Sequence, residues 1–254
     1  MLKIDLNRKG LLKAVINNPP VNALSRTLVD ALHGLCDRVD SKETRMVVIT
    51  SEGNHFSAGA DLKERAGMAD DEVVKFVQYL SDTFQRIWEI PVPTVAAING
   101  SCLGGGMELA LACDIRILAD GALMGLKETS IGVIPGAGGT VRLPRLIGES
   151  RAKQWIFTAE TFTSSEALAD GVVDWLVDPD KLDNAVVEIF EKIASNAPLS
   201  VKASKHSINS GLSKSIKEAL EVEQTAYRSI INARDRREGL DAFREKRRAV
   251  WKGK

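Results

Sequence analysis

Ile90–Cys113 reads IPVPTVAAINGSCLGGGMELALAC, and across these 24 residues the single charged side chain is Glu108. A membrane span of this length is excluded by its own composition. Pro91, Pro93, Asn99 and the Gly104-Gly105-Gly106 triplet interrupt it, and a carboxylate at bilayer depth is costly. The stretch fits the interior of an α/β domain, with Thr94–Ile98 a buried strand and residues 105–113 a helix after the glycine turn. Outward from it, Leu2–Leu6 and Leu11–Ile16 read as a hairpin about Asn7-Arg8-Lys9-Gly10, closed by Asn17-Asn18-Pro19-Pro20. Ser25 is placed to cap an amphipathic helix reaching about Val39, with Leu28, Ala31, Leu32 and Leu35 on one face. Met46–Thr50 is a continuous apolar strand, residues 71–88 a second helix and residues 114–119 a further strand. Strands alternating with helices at this spacing predict βαβ units and a largely parallel sheet. From Ser164 onward the pattern is helical, interrupted by a strand-like run at residues 172–177. The expected organisation is an α/β core over residues 1–195 and a helical region over 196–254.

Composition narrows the function classes. The 254 residues are 44% hydrophobic, enough for a substantial core, and 34 basic residues balance 34 acidic ones. A nonspecific nucleic-acid or membrane-surface binder would carry a basic excess. Residues 234–254 do hold nine basic and four acidic residues, a local +5, which suits either a solvated helix or an anion-binding edge. Cys36, Cys102 and Cys113 are odd in number and widely spaced, as expected of reduced thiols. His33, His55 and His206 form no compact metal-ligand pattern. The start, MLKIDLNRKG, lacks an apolar signal core, so a soluble, cytoplasmic chain is expected, with no membrane partner.

Three segments hold the candidate chemistry. Glu108 sits in apolar surroundings, where a carboxylate must be paired, hydrogen-bonded or protonated. It is either an ion-pair partner of a distant Arg or a functional acid. It lies three residues past Gly105, one helical turn on and on the same face, so a main-chain donor and a carboxylate would share one pocket. That combination suits enolate chemistry, in which an N–H holds an oxyanion while an acid or base handles a proton nearby. The second segment, His55-Phe56-Ser57-Ala58-Gly59-Ala60-Asp61, follows a strand, where open α/β sheets bind ligands. Its HFSAG nearly matches a nucleophile elbow, but His55 stands where Gly is needed, and a second backbone donor is the more natural role. The third is MGLKE, residues 124–128, followed by 13 uncharged residues that include Pro135-Gly136-Ala137-Gly138-Gly139. This completes neither a dinucleotide fingerprint nor a phosphate loop. Glu128 is either a functional carboxylate or an exposed one beside Lys127.

Together these elements resemble the enoyl-CoA hydratase/isomerase (crotonase) superfamily. The matching pieces are FSAGADLKE (residues 56–64), PVPTVAAINGSCLGGGMELALACDIRIL (91–118), IPGAGGTVRLPR (134–145) and GLDAFREKR (239–247), with PPVNALS (19–25) in agreement. The resemblance implies a spiral of ββα turns followed by a helical trimerisation region, assembled as a trimer or a dimer of trimers. It implies an oxyanion hole from the amides of Ala60 and Gly105, with Glu108 and Glu128 as the two carboxylates that position and activate water. It also implies CoA contacts along Ala58, Ala60, Asp61, Leu62 and Lys63, with Phe243 and Lys246 reaching CoA from a neighbouring subunit. The substrate is then an acyl-CoA thioester, and the expected reaction is addition of water to a 2-enoyl-CoA with no metal or redox cofactor.

Two carboxylates favour hydration over double-bond isomerisation within this superfamily. LKERAGM, MGLKETSIGVIPGAGG and RREGLDAFREKR are also similar to methylglutaconyl-CoA hydratases, and Lys127 departs from the straight-chain hydratase pattern, which often has Pro there. The acyl pocket is expected near residues 66–80 and Trp88. An acyl-CoA hydrolase or a catalytically inert scaffold are the other readings of the same fold; both Glu residues and both glycine-rich loops are intact, against the latter. An RNA-binding role is disfavoured because residues 25–40 offer only Arg26 and Arg38, opposed by Asp30, Asp37 and Asp40.

Overall fold

The computed structural model describes Met1–Lys254. The N-terminal hairpin pairs β1 (Leu2–Leu6) antiparallel with β2 (Leu11–Ile16), and β2 then runs parallel to β3 (Met46–Ser51). Between them Ser25 caps α1 (Arg26–Asp37), its hydroxyl accepting the Leu28 N–H, as the sequence predicts. Strands β5 (Thr94–Ile98), β7 (Ile115–Ala119) and β10 (Trp175–Val177) extend the parallel pairing, so the large sheet is ordered β1-β2-β3-β5-β7-β10.

A second sheet, not anticipated by the single-sheet reading, pairs β4 (His55–Ser57), β6 (Ser101–Leu103) and β8 (Leu123–Gly125) in parallel. Strand β9 (Phe162–Thr163) lies antiparallel at its edge. The chain therefore visits the large sheet, crosses to the small one and returns, once for each of β3/β4, β5/β6 and β7/β8. Helices α2 (Leu62–Ala66) and α3 (Asp70–Trp88) complete the first such turn, and α4 (Gly105–Leu111) completes the second. This is the spiral of ββα units that the family resemblance implies.

Alternation along the large-sheet strands divides the core. Val47, Ile49, Ala96, Ile98 and Leu118 face the main cluster with α1, α3 and α4. Met46, Val48, Val95, Ala97 and Ile117 face outward under α8 (Leu182–Ala194), which covers them with Leu182, Val186 and Phe190. Because both faces are covered, these strands read as unbroken apolar runs. After β8, α5 (Gly139–Ile147), α6 (Glu149–Phe157) and α7 (Ser164–Ala169) lead to β10, which starts at Trp175, three residues later than the sequence suggests. Helices α9 (Pro198–Gly211), α10 (Ile216–Ile230) and α11 (Arg234–Glu245) form the C-terminal helical region.

Candidate active site

The α4 entrance organises the site. Gly104 adopts φ +51°, and a Cβ there would lie 2.9 Å from Glu128 Oε1, so a glycine lets both the turn form and the carboxylate approach. Every residue of α4 is buried, Glu108 included at 2% exposure. No Arg pairs with it. Its Oε1 accepts the main-chain N–H of Ala137 at 2.8 Å and of Gly139 at 2.9 Å. The uncharged glycine-rich stretch therefore serves to carry two amide donors to a buried carboxylate. Burial pushes the Glu108 carboxyl up, and the two amides, with Arg142 and Arg65 in range, oppose that rise.

Glu128 opens a single 3-10 turn (Glu128–Ile131) after β8. It is half-buried, and its Oε2 is shielded from water without a hydrogen-bond partner. Burial first, and the Glu108 charge second, push its carboxyl up to about 7. Two carboxyls of different character thus share one space: Glu108 clasped by amides, Glu128 ready to exchange a proton near neutrality.

The β4 loop meets α4 from the other side. Gly59 has φ +88°, and a Cβ on it would fall 2.9 Å from both Gly105 N and Leu103 O. A Cβ on Gly105 would in turn meet Ala60 N at 3.8 Å. The Ala60 and Gly105 amides therefore belong to one contact between two loops. Gly105 is the first residue of α4 and has no intrahelical acceptor for its N–H; the Ala60 N–H makes no hydrogen bond in the chain. Ser57 is fully buried, its hydroxyl donating to Asn22 O at 2.7 Å and accepting the Gly59 N–H at 3.1 Å. It braces this loop and faces no base.

Comparison with known proteins gives this geometry a context. The family model described as enoyl-CoA hydratase/isomerase matches residues 7–254. This chain belongs to the enoyl-CoA hydratase/isomerase family. YngF of Bacillus subtilis (strain 168), whose name carries both activities, is 44% identical over 241 residues, covering 94% of this chain and 93% of that one. The mitochondrial methylglutaconyl-CoA hydratase of Mus musculus is 42% identical over 238 residues, 91% of this chain and 76% of that protein. The crystal structure of enoyl-CoA hydratase from Bacillus anthracis superposes with a TM-score of 0.97 at 42% identity, covering 100% of this chain and 99% of that one.

In this enoyl-CoA hydratase/isomerase family member the remaining predicted residues fall in two places. Ala58, Asp61, Leu62 and Lys63 continue the β4 loop into α2. Leu62 and Lys63 are exposed, whereas Asp61 caps the helix, its Oδ1 accepting the N–H groups of Lys63 and Glu64 at 3.0 and 3.1 Å. Phe243, 87% exposed, and Lys246 lie at the outer end of α11, in the helical region and apart from these loops. Lys127 turns away from the carboxylates and donates to Ala159 O, a structural tie. Sequence reasoning assigns no role to the donors at Ala137 and Gly139 or to Arg65, whose guanidinium feels the charge of both carboxylates without pairing with either. The signal for the donors was present: a charge-free glycine run right after Glu128.

Proposed function

We propose that this protein is an enoyl-CoA hydratase, a hydro-lyase that adds water across the 2,3 double bond of a 2-enoyl-CoA. The observation that carries this reading is the placement of Glu108 and Glu128 beside the contact between the Ala60 and Gly105 amides. In the proposed complex the thioester carbonyl accepts both N–H groups, and the amino end of α4 favours the negative charge that grows on that oxygen. One such donor is typically worth about 3 kcal/mol in the transition state. Glu108, held as a carboxylate, takes a proton from the water whose oxygen bonds to C3. Glu128, protonated near neutrality, gives its proton to C2, and transfer of a proton from Glu108 to Glu128 restores the pair. Water addition of this kind is redox-neutral and uses no metal or redox cofactor.

Ala58, Asp61, Leu62 and Lys63 line the path of CoA in this reading. Phe243 and Lys246 reach CoA bound by a neighbouring subunit. A trimer or dimer of trimers is supported by the exposed apolar side chains of α9 and α10, among them Ile208, Leu212, Ile216 and Leu220. The three free cysteines suit a reducing, cytoplasmic setting, and no helix is long and apolar enough to cross a membrane. Assay of crotonyl-CoA and 3-methylglutaconyl-CoA for water addition tests the proposal; turnover confined to 3-enoyl-CoA esters would establish an isomerase instead. A methylglutaconyl-CoA hydratase is the second reading, favoured by the 42% identity to the mouse enzyme of that name.

A further inference from the structure

The IPGAGGTVRLPR stretch brings more to Glu108 than two amides. Its first arginine, Arg142, is the fourth residue of α5 and folds back over the loop that precedes the helix. Arg142 Nη1 donates to Ala137 O at 3.1 Å and Nη2 to Gln85 Oε1 of α3 at 3.0 Å, while its main-chain N–H donates to Gly138 O at 2.7 Å. A Cβ on Gly138 would collide with Nη1, so the glycine, at φ +115°, is what admits the guanidinium. Gln85 is anchored in turn, its Nε2 donating to Glu89 Oε1 at 2.8 Å.

These bonds act on the same peptides that hold the carboxylate. Ala137 gives its N–H to Glu108 at 2.8 Å and its carbonyl to Arg142, so it is gripped at both ends. In the peptide that joins Gly138 to Gly139, the carbonyl accepts the Arg142 N–H. The N–H of a trans peptide points the opposite way, and here it is the one donated to Glu108 at 2.9 Å. Arg142 is half-buried and feels the Glu108 charge, yet it forms no ion pair with it. The other charges acting on or from Glu108 are Arg65 on α2 and Glu128 on the 3-10 turn. Helix α3 reaches the cluster through the neutral Gln85. Strands β4 and β6, against α4, carry His55 and Cys102 as their titratable groups, and Cys113, just past α4, is a buried thiol pushed up to about 12.

We propose that Arg142 is a positioning residue for the hydration: it clamps residues 137–139 so that both amides converge on one oxygen of Glu108, and it keeps a positive charge near that carboxylate without pairing with it. The inference rests on the hydratase reading for its kinetics, but the ionisation of Glu108 can be followed without turnover. Removing the cation makes Glu108 easier to protonate, so the base is lost at a higher pH. In the full-length protein Arg142→Met should move the acid limb of the kcat profile for crotonyl-CoA up by about one pH unit, the lower end of what a nearby opposite charge does to a carboxyl. On that limb kcat falls about tenfold, while KM changes less than threefold. Arg142→Lys should return the limb toward its wild-type pH but recover only part of the plateau rate, because a point charge lacks the fork that spans Ala137 O and Gln85. Should Arg142→Met not fold, Arg142→Gln, which keeps a donor for Ala137 O and removes the charge, carries the same shift of the limb. Infrared difference spectra against Glu108→Gln read the carboxylate stretch in the ligand-free protein, and that titration should move by the same amount. A limb and a carboxylate titration that both stay at their wild-type pH in the uncharged variants overturn the proposal. So does a raised KM with kcat unchanged, which would place Arg142 on the bound thioester. A shifted carboxylate titration without hydration of any enoyl-CoA would instead remove the hydratase reading and leave the clamp standing.

Discussion

Glu128→Gln separates what the carboxyl does for chemistry from what it costs the fold. Lifting a carboxyl from its ordinary 4.5 to about 7 means that the folded state disfavours the charged form. At about 1.4 kcal/mol per tenfold change in proton affinity, the penalty approaches ~3 kcal/mol once Glu128 is fully ionised. The sign follows from linkage. A folded-state affinity for protons above the unfolded one stabilises fully below the unfolded value near 4.5, and that advantage is lost as pH rises through about 7. Wild type should therefore lose stability relative to Glu128→Gln between pH 5 and pH 8. Glutamine has the same shape and no charge, and because Oε2 has no partner to lose, any packing cost should be independent of pH.

For a chain of this size, ~3 kcal/mol corresponds to about 6 °C in Tm. Thermal unfolding at fixed protein concentration, followed by tryptophan fluorescence from pH 5 to pH 8, gives the difference between the two proteins. The expected result is a variant near wild type at pH 5 and several degrees more stable at pH 8, with hydration of crotonyl-CoA reduced by orders of magnitude. A Tm difference that stays flat across this range would refute the reasoning, because it would mean that ionising Glu128 costs the fold nothing. Part of the rise comes from the Glu108 charge, so Glu108→Gln should bring the Glu128 carboxyl back toward its ordinary value and flatten the same curve.

Four other outcomes follow from the same geometry. If Glu128 donates its proton to C2, kcat/KM should fall as pH rises through about 7, and a rate that climbs there would reverse its role. Glu108→Ala should lose hydration and about 2–4 kcal/mol of stability in denaturant titration, because the Ala137 and Gly139 amides stay buried without an acceptor. Gly59→Ala combines φ +88° with a Cβ 2.9 Å from Gly105 N; it should cost on the order of 100-fold in kcat while CoA-ester binding, read by calorimetry, changes less. Asp235 is 2% exposed and accepts the N–H groups of Lys252 and Gly253 at 2.8 Å, so Asp235→Ala should release the C-terminal tail, seen as faster hydrogen exchange over residues 247–254.

The legibility of this fold in its sequence follows element length. Strands of five or six residues buried on both faces, such as Met46–Ser51, announce themselves as apolar runs, and α3 declares itself over 19 residues of helical periodicity. The second sheet does not. HFS, SCL and LMG are three residues each, too short for any period to register, and their pairing is set by the chain's repeated crossing between layers. The ββα spiral was consequently reached through resemblance, and periodicity alone suggested a single parallel sheet.

The site shows the same division between what residue type reveals and what only packing reveals. Glu108 was conspicuous as a lone charge in an apolar stretch, but its partner was open: an Arg or something else. The answer, two amides from residues 137 and 139, is invisible to composition because a main-chain donor has no sequence signature beyond the glycines that let it approach. This choice has a chemical consequence. An Arg at contact distance would hold the carboxylate deeply ionised and fill the pocket with its own bulk. Amides neutralise less and occupy no side-chain volume, and both of them bond Oε1, which leaves Oε2 without a hydrogen bond from the chain. The positive charge that opposes the raised proton affinity of the two carboxyls comes from side chains that make no ion pair with them, Arg65 for both and Arg142 for Glu108 as well. A buried carboxylate answered by its own ion partner would be a structural device; one answered by two amides on a single oxygen keeps the other uncommitted, which is what the proposed proton transfer to Glu108 requires.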